Sequence, residues 1–140
     1  MITIWTNHLS VGNKIIDSAH EDILNLINRV DRLLEARDGA ALTETFELLE
    51  NCLCVYFEVE EKIAQAINFD FTQHKITHQR LLDDFQRRKN ILAAKNGIWS
   101  DVEGKAFTIY LAKSFVQHIN SEGKPMKIVL DTHYYDFQPD

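Results

Sequence analysis

Positive charge, long apolar runs and chain-breaking residues are all scarce in this chain of 140 residues. Fifteen Lys and Arg stand against 21 Asp and Glu, a formal charge of -6, so there is no basic footprint for a nucleic-acid backbone or an anionic membrane surface. No apolar stretch approaches the roughly 20 residues that a bilayer span needs. The opening segment, MITIWTNHLSVGNK, has no basic start, apolar core and small-residue cleavage site in sequence, so export is not expected and a cytoplasmic setting is. There are two cysteines, Cys52 and Cys54. Two residues apart on one helix, they point in different directions and read as free thiols in a reducing compartment. Nothing resembles a nucleophile with its base, a phosphate loop or a dinucleotide fingerprint, so the chain is not expected to be an enzyme.

What is present is periodicity. A chain this long and 45% hydrophobic supports one domain with a real core. Two prolines, no internal repeat and no low-complexity tract leave four amphipathic segments to organise it. The first is expected over about Ser18 to Arg37, capped by Asp17 or Ser18, with Ile16, His20, Ile23, Ile27, Val30 and Leu34 on one stripe. The second, about Ala41 to Ile67, carries Leu42, Phe46, Leu49, Leu53, Tyr56, Glu60, Ile63 and Ile67. The third begins near Asp70 or Thr72 and ends near Lys95; Phe71, His74, His78, Leu81, Phe85 and Leu92 share its stripe, which Arg88 interrupts. The fourth opens on the capping-box spelling Ser100-Asp-Val-Glu103, carries Phe107, Leu111, Ser114 and His118, and is expected to stop at Gly123 and Pro125. Short connections favour antiparallel neighbours. The predicted fold is all-α, an up-down-up-down four-helix bundle over residues 18–122, with an arm over 1–17 and a tail over 123–140.

Polar residues interrupt this core in a pattern. His20 lies near the start of the first helix, Glu60 near the end of the second, His74 and His78 at the start of the third, and His118 near the end of the fourth. In an antiparallel bundle these positions share one end, and at about 1.5 Å rise per residue they fall within roughly a two-turn layer. Unpaired buried polar groups cost on the order of 1–3 kcal/mol each, so the layer needs either a closed hydrogen-bond network or a metal ion. His74 and His78, one helical turn apart, can reach a single ion from one side, and nitrogen with carboxylate donors suits iron, zinc or manganese.

The motifs also resemble a known family. IWTNHLSVGNKIIDSAH is similar to the entry segment of bacterial hemerythrins; HKITH, YFEVEEKI and FVQHINSEGK resemble that family's remaining metal-binding segments, in the same order, over residues 2–124. The resemblance implies a non-heme di-iron centre that binds dioxygen or a similar diatomic, serving as carrier or sensor. It also implies that His74, His78 and His118 match the three histidines of one iron, His20 one histidine of the other, and Glu60 the bridging glutamate. Two positions depart. Tyr56 stands where a histidine of the second iron belongs, and Gly123 where the bridging aspartate belongs. Both departures fall on the half where, in the family, the small ligand binds, so one iron, two or none remains open, and a mono-metal or tyrosinate-iron redox protein and a metal-free interaction domain stand as the alternatives to the family role.

Tyr56 allows two readings: a phenolate ligand to ferric iron, or a neutral phenol filling the histidine's volume and donating a hydrogen bond, with Glu60 one turn away as the nearest acceptor. Glu122 beside Gly123 is displaced by about 100° around the helix and replaces the aspartate only if that end rotates. His8 and His133 lie outside the stripes and read as exposed. Trp5 reads as an anchor for the arm, and Ile119 as a wall of a small apolar cavity. The tail KIVLDTHYYDFQPD is apolar enough to pack, on its own bundle or on a second chain.

Overall fold

A computed structural model describes residues 2–140. Four long helices form the bundle: α1 (Lys14–Ala36), α2 (Gly39–Ala66), α3 (Thr72–Ala93) and α4 (Asp101–His118). Helix α1 packs against α2 and α4, and α3 packs against the same two, so sequence neighbours are spatial neighbours and the chain runs up, down, up and down. Both predicted apolar stripes of α1 and α2 are buried along their whole length, from Ile16 to Leu34 and from Leu42 to Ile67.

Helix α1 starts earlier than its stripe suggested. Asn13 is the cap, its Oδ1 accepting from the Ile15 and Ile16 amides at 3.0 and 3.1 Å. Asp17, expected to cap, instead accepts from Ser10 Oγ at 2.5 Å, the Val11 amide at 2.9 Å and Tyr135 Oη at 2.9 Å. One buried carboxylate thereby clips the arm and the tail to the first turns of α1. The Lys14 amide donates to Tyr135 O at 2.8 Å and Asn13 Nδ2 to Phe137 O at 3.0 Å, so the tail packs on its own bundle. The arm is tied a second time at Asn28, whose Oδ1 accepts from the Ile2 and Thr3 amides at 2.8 and 3.0 Å.

At the start of α3, Asp70 accepts from the Thr72 amide at 3.1 Å while Phe71 occupies the cap position. Arg88, which interrupts the α3 stripe, lays its guanidinium over the Tyr110 ring at 3.4 Å, and the Tyr110 hydroxyl donates to Asp84 at 2.6 Å. A cation on a helix face is thus absorbed by stacking across to α4. The capping box of α4 forms as its spelling implies, with Ser100 and Glu103 each accepting from the other's amide.

The helix end expected at Gly123 is not an end. Beyond His118 the chain makes one π turn, Ile119–Gly123, and continues as α5 (Lys124–Leu130). Pro125 sits in the first turn of α5, directly after the π turn, and Gly123 has an ordinary helical φ of -76°. Met126 and Leu130, one turn apart, bury α5 against the core. Gly123 is needed for space: a Cβ there would meet Val11 Cγ1 of the arm at 2.9 Å.

Two consequences are measurable by urea denaturation. Gly123→Ala is expected to destabilise the protein by about 1–3 kcal/mol through overpacking against Val11. Asp17→Ala removes three hydrogen bonds to a buried carboxylate and is expected to cost about 2–4 kcal/mol, with faster amide exchange in residues 10–12 and 133–137.

Candidate metal centre

The bundle places its polar layer by register alone. His20 is in the second turn of α1, Glu60 in the penultimate turn of α2, His74 and His78 in the first two turns of α3, and His118 closes α4. All five are buried, His20 and Glu60 to within 1% of complete. The ligand atoms of Glu60, His74, His78 and His118 lie within 4.8 Å of one another.

Glu60 Oε1 is the hub. His78 Nε2 lies 3.2 Å and His118 Nε2 3.9 Å from it, and His74 Nε2 makes the closest contact to the same oxygen. These are short separations without hydrogen-bond direction. Neither carboxylate oxygen of Glu60, nor the Nε2 of His74 or His78, has a hydrogen-bond partner among the described residues. Glu60, His74 and His78, unsatisfied by each other and with His118 beside them, match what a cation needs, since one ion would satisfy them together. The donor set, three imidazoles and one carboxylate, suits iron, manganese or zinc by type.

Aromatic plates hold the rings in place. His78 stacks on Phe57, centroids 3.9 Å apart and planes 13° from parallel, and His74 stacks on Phe71 at 4.4 Å and 16°. Phe115 meets the His20 ring edge-on at 5.6 Å. Stacking fixes a ring plane without occupying its nitrogens, which leaves them free to ligate. Phe57 lies inside the YFEVEEKI segment and Phe71 three residues before His74; the apolar pattern counted them, but their service as plates depends on rotamers it does not specify.

His20 and Tyr56 lie beside the four. The Tyr56 hydroxyl is 2.7 Å from His20 Nε2 and 3.1 Å from His118 Nε2, hydrogen-bonding to both rings, while His20 Nε2 stays 4.0 Å from Glu60 Oε2. The expected bond from the phenol to Glu60 is therefore replaced by a bridge between two imidazoles, because the side chain reaches across to α1 and α4. Glu122 Oε1 accepts from Thr77 Oγ1 at 3.1 Å on the α3–α4 surface, outside the ligand cluster. His8 belongs to the arm, and His133 packs against Phe137 in the tail at 4.6 Å. Trp5 packs partly buried on the core, and Ile119 is fully buried next to His118. Both cysteines are free.

Burial sets the charges. It pushes the His20 pKa down to about 4 and that of His118 down to about 3, against the opposing pull of the Glu60 charge, and it lowers His78 in the same way. For Glu60, burial alone would raise the pKa, but the close imidazoles of His74 and His78 outweigh it and hold the carboxyl well below its usual range. Tyr56 goes the other way: burial, then the Glu60 charge, raises its phenol well above 10.

The metal-free protein should therefore be acid-sensitive. A folded histidine pKa below the unfolded value of 6.5 means the unfolded chain binds protons that the fold refuses, so stability is complete above pH 6.5 and is lost between pH 6.5 and about 4. We expect the melting temperature of chelator-treated protein to fall by roughly 5–10 °C between pH 7.0 and 5.5, with a shallower fall in His20→Gln. Calorimetry across that range reads both; a flat profile would contradict the assignment of buried neutral imidazoles.

Comparison with known proteins agrees with this site. The hemerythrin HHE cation binding domain matches residues 11–126. The chain is 24% identical over 119 residues to Bacteriohemerythrin of Pseudomonas aeruginosa (strain LESB58), covering 85% of this chain and 75% of that one. It is 26% identical over 127 residues to Hemerythrin-like protein of Naegleria gruberi and to that of Naegleria fowleri, covering 90% of this chain and 92% of each relative. No solved structure matches the chain. A bundle whose buried His and Glu side chains meet at one end, matched by this domain over most of its length, makes the chain a member of the hemerythrin family.

Proposed function

We propose that this protein binds a single non-heme iron ion through Glu60, His74, His78 and His118, and uses it to bind or sense dioxygen or a similar small diatomic. The observation that carries the reading is the set of four buried ligand atoms within 4.8 Å of one another, among which both Glu60 oxygens and the Nε2 of His74 and His78 lack a hydrogen-bond partner among the described residues. Iron is the choice that the hemerythrin family makes from the metals this donor set suits.

The case against a second iron rests on what fills its half. Tyr56 stands there with a phenol that bridges His20 Nε2 and His118 Nε2, so the half beside His20 offers a single imidazole. Position 123 has no side chain, and the arm's Val11 takes up the space beside it. Glu60 Oε2 and one imidazole are too few to hold a separate ion of a kind that takes four or more donors.

When bound, iron supplies a centre that can coordinate a small ligand and exchange one electron. The chain's own contribution is containment. Glu60 supplies the one formal negative charge in the layer, and burial favours the neutral, ligating form of the His78 and His118 imidazoles. Phe57 and Phe71 fix two ring planes, while Phe115 and Ile119 keep water from the layer. Tyr56, with its phenol held protonated by burial, bridges His20 and His118 by hydrogen bonds in the metal-free layer and is not itself a ligand; His118 Nε2 would exchange that bond for the ion. We class the protein with the carriers and sensors of its family and not with enzymes. Among the described residues no helix is long and apolar enough to cross a membrane, and the two free cysteines fit a reducing cytoplasm.

Anaerobic loading with ferrous iron followed by metal analysis tests this directly. One iron per chain is expected, falling at least tenfold in His78→Ala and unchanged in Tyr56→Phe. Two irons per chain, or none, would overturn the single-ion assignment. A visible absorption band lost in Tyr56→Phe would overturn the phenol's role and make it a phenolate ligand.

A further inference from the structure

Helix α2 carries a second apolar line, of which Cys52 and Val59 lean on the core and Leu48 and Val55 are left exposed. Leu48, Cys52, Val55 and Val59 recur at intervals of four, three and four residues, the spacing of one helical face, turned about 100° around the helix from the stripe that holds Tyr56 and Glu60. Leu48 is 41% and Val55 60% exposed. Across from them, the half-buried Ile15 and Ala19 of α1 form a facing wall, and Asp136 and Gln138 of the tail close one end. The result is an open cleft of about 690 Å³ between α1 and α2, with Ile23 and Tyr56 at its floor.

Its dimensions and charge define what fits. Leu48 to Val59 spans about 16 Å, three helical turns, which matches apolar anchors at i, i+4, i+7 and i+11 of a helix laid in a groove. The rim is acidic: Asp22 and Asp136 line the cleft, Glu47 and Glu58 flank the ends of the α2 line one residue before Leu48 and Val59, and Lys14 is the one cation among the lining residues. Docking a second copy by the same face would set these carboxylates against their own counterparts, which is disfavoured. We propose that the α1–α2 cleft docks an amphipathic helix of a partner protein, with an apolar face three turns long and Lys or Arg along its flanks. The proposal is independent of the number or identity of metals bound. Because Tyr56 lies in the floor and also bridges His20 and His118, a helix seated there touches the same side chain that the metal centre touches.

The test uses the full chain and two fluorescein-labelled synthetic 18-residue helical peptides. Both carry Leu at i, i+4, i+7 and i+11; one has Lys flanks and the other Glu flanks. Fluorescence anisotropy at low and moderate salt should show the Lys peptide binding at least tenfold tighter than the Glu peptide, weakening as salt rises. Leu48→Gln with Val55→Gln, both exposed and neutral in charge, should weaken the Lys peptide at least tenfold; Ile98→Gln, an exposed apolar residue outside the cleft, should not change it. Equal binding of the two peptides, or no effect of the cleft variant whose fold circular dichroism shows intact, would overturn the proposal. So would light scattering that shows a dimer of the wild type and a monomer of the Leu48→Gln, Val55→Gln variant, since a second copy would then be the occupant.

Discussion

A carboxylate buried to within 1% of complete, surrounded by imidazoles that burial keeps neutral, is the constraint on which the rest of this structure turns. Burying Glu60 as an anion costs several kcal/mol unless positive charge or directed hydrogen bonds compensate. The imidazoles give some compensation, enough to hold its pKa low, but each gains proton affinity from Glu60 only at the cost of its own desolvation. A cation placed among them compensates the burial, because it neutralises the carboxylate and uses imidazoles in the neutral form that burial already favours. The surrounding features follow from that requirement: the stacked phenylalanines, the sealing by Phe115 and Ile119, and the continuation of α4 through a π turn that keeps His118 inside a helix and not at a frayed end.

Much of this was legible in the sequence because helical register is a strong constraint. Eight positions of α2 from Leu42 to Ile67 recur at three and four residues, and one such run determines which side of the helix Glu60 occupies. Five polar residues on four helices then fall at one end as soon as the helices alternate in direction. Arg88 showed the limit of this logic: register placed it on the α3 stripe, but only the coordinates revealed that Tyr110 offers its face to the cation.

What register could not deliver depends on side-chain competition. Asp17 satisfies the requirements of a helix cap, yet Asn13 caps α1, and the carboxylate is used on a serine and an amide of the arm and a tyrosine of the tail. Long-range bonds of that kind leave no local signature. Gly123 and Pro125 read as a stop because glycine and proline usually are, but proline in the first turn of a helix is as compatible with a start. The partner of Tyr56 was equally hidden, since a phenol one turn from a glutamate can swing toward either neighbouring helix.

The two departures from the family pattern make physical sense as a pair. Removing an aspartate from position 123 takes away a negative charge that a second cation would need, and a histidine left at position 56 would then be a buried imidazole beside His20 and His118 with no ion to share. A tyrosine there has a hydroxyl that both donates and accepts, so it satisfies one nitrogen on each ring without introducing a charge. Its phenol, pushed well above its ordinary range, remains neutral where the imidazole's titration would be a liability. Loss of the carboxylate and gain of the phenol thus remove charge and donors together, and they leave the three-histidine half with its glutamate intact. Under the proposed single ion, the buried charge of Glu60 would have its counterpart in the cation.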